Sequence, residues 1–101
     1  MLVMFSMAPY GKGESLSKYV AECIDIIEKS GLPSQTNPMG TVVEGSWEEV
    51  FDLINQCRKQ MHKHANRIGI KIWVDDRKGS RHQISKKIES VEKRLGREIR
   101  K

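Results

Sequence analysis

The stretch Thr36-Asn37-Pro38-Met39-Gly40-Thr41-Val42-Val43-Glu44-Gly45 decides how this chain is read. Pro38-Met39-Gly40 is a turn signal, and residues 34 to 37 and 41 to 44 on either side read as the short strands of a hairpin. Upstream, Leu16, Tyr19, Val20, Cys23, Ile26 and Ile27 recur at spacings of three and four. They form the apolar stripe of a helix that Ser15 or Ser17 can cap and Gly31 stops. Downstream, Ser46 with Glu49 three residues later makes a capping box. It opens a second helix with Val50, Phe51, Ile54, Cys57 and Met61 as its buried stripe.

Two more strands complete the frame. Leu2 to Ala8 is an apolar run broken only by Ser6, as expected of a central strand, and Pro-Tyr-Gly-Lys-Gly ends it. Ile68, Ile70, Ile72 and Val74 alternate with Gly69, Lys71 and Trp73, the period of a strand with one buried face. After a turn at Asp75 to Ser80, Ile84, Ile88, Val91 and Leu95 predict a third helix. The order is β-α-β-β-α-β plus a helix, which predicts the α+β, ferredoxin-like arrangement: a four-stranded antiparallel sheet with two helices on one face and an added C-terminal helix. Residues 1–101 form a single domain, with 80–101 as a basic helical tail. The sheet's other face is open and presents Trp73, which predicts a subunit interface there, with the seam of the last helix lying against a neighbouring subunit.

Composition limits the rest. A chain of 101 residues and 11.6 kDa holds one small domain, which a second subunit would help to bury its surface. No apolar run approaches the roughly 18 residues of a membrane helix. The apolar start lacks a basic n-region, so no membrane association and a cytoplasmic location are expected. Cys23 and Cys57 lie apart in helical stretches without CxxC spacing and read as small core residues. His62 and His64 are two apart, on different sides of a helix, so no metal is expected. Residues 77–101 hold ten Lys/Arg and three Asp/Glu, a net +7, whereas residues 1–76 carry −2. That tail reads as a solvated helix face, or as a dock for an acidic partner or nucleic acid.

The chemistry points to binding rather than catalysis. The first loop lacks the paired cysteines of a metal carrier. The strand Thr41-Val42-Val43-Glu44 lacks the aromatic and basic residues that stack RNA bases on such a sheet, so nucleic-acid binding by the sheet is not expected. Gly11-Lys12-Gly13-Glu14-Ser15 departs from the GxxxxGK[ST] phosphate loop and reads as a flexible entry to a helix. Asp75 and Asp76 are adjacent on a strand end, where side chains point apart, and read as partners of Arg77 or caps of the next turn. Spacing pairs no nucleophile with a base, so no catalytic residue and no cofactor are assigned. The hairpin is different: Thr36, Asn37, Thr41 and Glu44 gather hydroxyl, amide and carboxylate groups, and Met39 adds a soft surface. Such a mixture suits a small heteroaromatic ring with ring nitrogens and an amino group. The same residues also read as ordinary strand, turn and helix-entry positions, and spacing does not choose. Nor does alternation decide whether Val42 and Glu44 or Thr41 and Val43 face the helices.

Together with SMAPYGKGESLSKYVAE (Ser6 to Glu22), WVDDRKG (Trp73 to Gly79) and KKIESVEKRL (Lys86 to Leu95), TNPMGTVVEG resembles the small thiamine-binding protein family along nearly the whole chain. The resemblance implies a ferredoxin-like subunit assembled into dimers or tetramers through open sheets and the last helix. It implies binding of thiamine or its hydroxymethylpyrimidine moiety, with no established catalytic activity. By motif position it implies a ligand wall of Ser6, Asn37, Met39, Thr41 and Glu44. Asn37 and Thr41 would bond the aminopyrimidine, Met39 would pack on it, and Glu44 would act as acceptor or counter-charge. The chain departs from the family at Met4, where an acidic residue is frequent, and at Trp73, where lysine is frequent. The leading expectation is a non-catalytic, homo-oligomeric binder of this small molecule. The alternative is a structural or regulatory protein whose basic last helix docks an acidic partner or nucleic acid.

Overall fold

Ser46 starts a helix as its position predicts: its hydroxyl accepts from the Glu49 N–H at 3.1 Å, while a Glu49 carboxylate oxygen accepts from the Ser46 N–H at 3.0 Å. The Ser46 backbone and hydroxyl hold the Glu49 carboxyl below its ordinary value. In a computed structural model that describes residues 1–101, this helix, α2 (Trp47–Met61), is one of seven elements. The others are β1 (Leu2–Pro9), α1 (Ser17–Lys29), β2 (Ser34–Asn37), β3 (Gly40–Glu44), β4 (Ile68–Asp75) and α3 (Gln83–Leu95). Ser46→Ala removes one acceptor from the first turn of α2 and is expected to destabilise the fold by about 1 kcal/mol. Urea unfolding will read this as a lower midpoint at unchanged slope.

The strands form one antiparallel sheet in the order β2-β3-β1-β4, the ferredoxin-like arrangement expected from the element order. Register resolves what alternation left open. Val43 lies opposite Val3 and Thr41 opposite Phe5, so these four face the helices, while Val42 and Glu44 share the other face with Met4 and Leu2. Met4 also lies directly opposite Trp73, which is 72% exposed. Opposed side chains on one face interact, and here Met4 and Trp73 make an apolar pair.

The core is Val3, Phe5, Met7 and Val43 from the sheet, Cys23 and Ile27 from α1, and Val50, Leu53, Ile54, Cys57 and Met61 from α2. Leu53 was outside the expected stripe. Phe51, which was within it, is only half-buried and packs on Trp47 with ring centroids 4.4 Å apart. Both cysteines are free and buried as small core residues. Each thiol points at the other's main-chain carbonyl, and the bond to Cys23 together with burial pushes the Cys57 thiol up, keeping it neutral.

Three local expectations are corrected. Neither Ser15 nor Ser17 caps α1: Leu16 holds the cap position in near-helical backbone, and its carbonyl accepts from Tyr19 and Val20. The hairpin turn is Pro38-Met39 alone, since Gly40 already belongs to β3. A Cβ on Gly40 would lie 3.2 Å from the Phe5 carbonyl oxygen, so the missing side chain lets the strands approach there. Asp75 pairs with Lys87 of α3 rather than with Arg77, and that ammonium holds its carboxyl below the usual range.

Candidate functional site

The hairpin of β2 and β3 stops short of the end of β1, and this creates the site. Gly45 N–H donates to the Met1 carbonyl at 3.1 Å and Tyr10 N–H to the Arg67 carbonyl at 2.9 Å. Main-chain groups alternate along a strand, so odd-numbered residues of β1 address β3 and even-numbered ones address β4. Pairing with β3 ends at Phe5–Thr41, whereas pairing with β4 runs on to Pro9–Ile68. The N–H and C=O of Met7 therefore point past the last β3 pair and have no ladder partner.

A slot of about 510 Å³ follows this free edge of β1, between the hairpin tip and α1. That volume lies in the range of small-molecule sites. Leu16, Val20 and Ile24 of the α1 segment form an apolar wall, and Pro38, Met39 and Gly40 close the other side. Met39 is 85% exposed and free to fold over an occupant. Thr41 is buried, and what exposure it keeps opens on the slot. Round the edge of β1, on the open face, Ser6 lies opposite Lys71, and Tyr10 crosses Gly69. The Arg67 guanidinium sits over the Tyr10 ring, 4.7 Å from its centroid.

Of the residues singled out from sequence, Ser6, Met39 and Thr41 line this slot together; Thr36, Asn37 and Glu44 do not. Thr36 is exposed and pairs with Thr41, and Asn37 is half-buried opposite Gly40. Glu44 is 8% exposed on the sheet face away from α1 and α2. Its two oxygens accept from Gln83 N–H at 3.0 Å and Ile84 N–H at 3.4 Å. It thus supplies the N-terminal acceptor of α3, whose own cap residue, His82, makes no side-chain capping bond. The helix N-terminus, with its positive dipole end, uses the charge that sequence had offered to a ligand. Sequence reading missed Met7, Tyr10 and Lys71. Lys71 stands two residues before Trp73 in the open-face alternation, which was a usable signal, whereas Met7 acts through main-chain atoms that side-chain patterns do not display.

A second polar cluster lies elsewhere. His64 Nε2 and Glu22 Oε2 are 2.6 Å apart, Gln60 donates to the same carboxylate at 3.1 Å, and the Tyr19 ring meets His64 edge-on. Gln60 and then His64 hold the Glu22 carboxyl below its ordinary value. This cluster ties α1 to the end of α2, and none of its members lines the slot. No group of three His, Cys, Asp or Glu is placed to hold a metal ion, and no helix is long and apolar enough to cross a membrane.

A family model described as "Thiamine-binding protein" matches residues 3–92. A UPF0045 protein of Mycobacterium bovis is 38% identical over 96 residues, covering 94% of each chain. A UPF0045 protein of Methanocaldococcus jannaschii is 33% identical over 86 residues, 85% of this chain and 86% of that one. Among solved structures, a hypothetical protein from M. jannaschii superposes with a TM-score of 0.82 at 31% identity, covering 89% of this chain and 93% of that one. A candidate thiamine biosynthesis/salvage protein from Thermotoga maritima gives 0.78 at 22% identity, over 89% of this chain and 96% of that one, a likeness of fold.

Proposed function

The chain belongs to the thiamine-binding protein family, and from that premise we propose that the slot beside Met7 binds the aminopyrimidine ring of thiamine or of its hydroxymethylpyrimidine moiety, without catalysing a reaction on it. The observation that carries this reading is the unpaired N–H and C=O of Met7. An extended residue offers a donor and an acceptor side by side, as it would to a neighbouring strand. An aminopyrimidine edge, a ring nitrogen beside an amino group, is the complement of that pair. Thr41 supplies a hydroxyl, and Met39, whose thioether adapts to flat rings, supplies the cover. The description of the T. maritima structural neighbour in terms of thiamine agrees with this choice of ring.

Assembly as a homodimer or homotetramer in the cytoplasm belongs to the same proposal. Met4 and Trp73 on the open face, and Val91 and Leu95 on α3, are each more than 40% exposed. They form the kind of apolar surface that a second copy would cover.

Calorimetric titration with hydroxymethylpyrimidine, and with the counterpart whose amino group is replaced by a carbonyl oxygen, tests the ring assignment on the unaltered protein. The exchange turns a donor into an acceptor facing the Met7 carbonyl and protonates the neighbouring nitrogen. Affinity is expected to fall by at least about 100-fold, since a mismatched polar edge leaves buried groups unpaired. Equal affinities would mean that the ring edge is not read at Met7.

A further inference from the structure

Cys23 and Cys57 are far apart in sequence and meet between α1 and α2. The Cys23 Sγ lies 4.0 Å from the Cys57 carbonyl oxygen, and the Cys57 Sγ lies 3.8 Å from the Cys23 carbonyl oxygen. A cysteine side chain is short, so two of them can each reach the other's main chain only where the helices approach closely. A disulfide needs such an approach, with Cα atoms within about 7 Å of each other. Both thiols are free. They differ in access: Cys57 is 0% exposed, whereas Cys23 keeps 6% and lines the slot beside Val20, Ile24 and Ile27. The slot therefore leads a small solute to one sulfur and not to the other. They differ in acidity in the same sense. The hydrogen bond from Cys57 holds the Cys23 thiol below its ordinary value, while that bond and burial push the Cys57 thiol up. The thiolate is the nucleophilic form, so the sulfur that is reached is also the one that reacts more readily.

We propose that Cys23 and Cys57 form a dithiol that peroxide oxidises to a disulfide, with Cys23 attacked through the slot and Cys57 as its resolving partner. The Cys23 thiolate attacks one peroxide oxygen; an S–O bond forms, the O–O bond breaks, and the departing hydroxide leaves as water with the thiol's proton. Cys23 is then a sulfenic acid. The Cys57 sulfur attacks the Cys23 sulfur; the S–S bond forms, the S–O bond breaks, and a second water leaves with the proton of Cys57. The two thiols together give up two electrons and two protons, and peroxide takes up both. In a reducing compartment such a bond is transient and serves as a sensor rather than as a structural staple. An occupant of the slot covers Cys23 and keeps the pair reduced, so the redox state of the two thiols records whether the slot is filled. This depends on the geometry of the slot and not on the identity of the ring it holds.

Treated with hydrogen peroxide, the full chain is expected to lose two hydrogens by intact mass and to yield a linked Cys23–Cys57 peptide on digestion without reductant. Dithiothreitol should restore both thiols. In Cys57→Ala the reaction should stop at the Cys23 sulfenic acid, which dimedone captures, whereas in Cys23→Ala the shielded Cys57 should stay reduced over the same period. Val20→Trp sets an indole over the slot from an exposed position of α1 and should slow oxidation at least roughly fivefold by limiting access. The dithiol is overturned if no disulfide forms, or if Cys57 in Cys23→Ala reacts as fast as Cys23 in Cys57→Ala. It is also overturned if Leu53→Ala speeds the reaction by as much as it raises the unfolded fraction, since the thiols would then react in the unfolded chain. An unchanged rate in Val20→Trp overturns the route through the slot. Saturating hydroxymethylpyrimidine should protect as Val20→Trp does. If Val20→Trp protects and the pyrimidine does not, the dithiol stands and the ring reading fails.

Discussion

In Glu44→Ala, amide exchange across Gln83–Leu95 is expected to rise roughly 10- to 100-fold, while affinity for hydroxymethylpyrimidine stays within about twofold. α3 buries no residue completely. Its seam is half-buried only at Ile84 and Ile88, and Val91 and Leu95 remain about half exposed. Its attachment therefore depends heavily on the Glu44 carboxylate, with the Lys87–Asp75 pair as a second, more exposed tie. A hydrogen bond to a charged acceptor contributes about 1.5–3 kcal/mol, and a detached helix of thirteen residues is barely stable in water. Exchange measured residue by residue reads the release. If the ligand's affinity collapses while exchange in α3 is unchanged, Glu44 serves the ligand and not the helix.

Leu53→Ala carries the other large effect, a loss of about 2–5 kcal/mol. Leu53 is 1% exposed and sits where α2 meets the sheet and α1 within an eleven-residue core. A domain of this size has a total stability of about 5–15 kcal/mol. A loss of about 3 kcal/mol would lower Tm by roughly 12–24 °C. Thermal unfolding of Leu53→Ala beside Phe51→Ala gives the comparison: the half-buried Phe51, resting on Trp47, is expected to lose less. A larger loss at Phe51 would reverse the two residues' places in the core.

That pair also marks where sequence reading stopped. The element order was legible because each boundary carries its own signal: Ser46 and Glu49 for α2, Gly31 after α1, and Pro38-Met39 between the short strands. Phe51 and Leu53 are two positions apart on one helix, and only the direction from which the sheet arrives decides which of them is covered. The same applies to β3, where Thr41-Val42-Val43-Glu44 alternates without preference until Val43 is placed opposite Val3. Of the six residues offered as a ligand wall, the fold brings three to one slot. Ser6, Met39 and Thr41 converge because the hairpin folds back beside β1. Thr36 and Asn37, near in sequence, go to the outer strand and line nothing. Sequence offered the Glu44 carboxylate to a ligand as acceptor or counter-charge, whereas in the fold it has other partners. Those partners are main-chain N–H groups some forty residues later, beyond the reach of any local pattern. Lys71 reaches the slot only once β4 is laid against Ser6.

The early end of the hairpin makes the slot a matter of length. Two residues inserted between Pro38 and Met39 would carry the β2–β3 ladder on by one pair, about 3.3 Å. Met39 would then enter β3 opposite Met7 and satisfy its free main-chain groups, filling the slot with backbone. Two codons at an exposed tip could thus abolish the site or, deleted from a longer relative, create it. The core would tolerate either change, because none of its eleven residues lies in the turn. On the proposed reading, ligand capacity can therefore be gained and lost in evolution independently of stability, and hairpin length is the first thing to compare when a relative fails to bind.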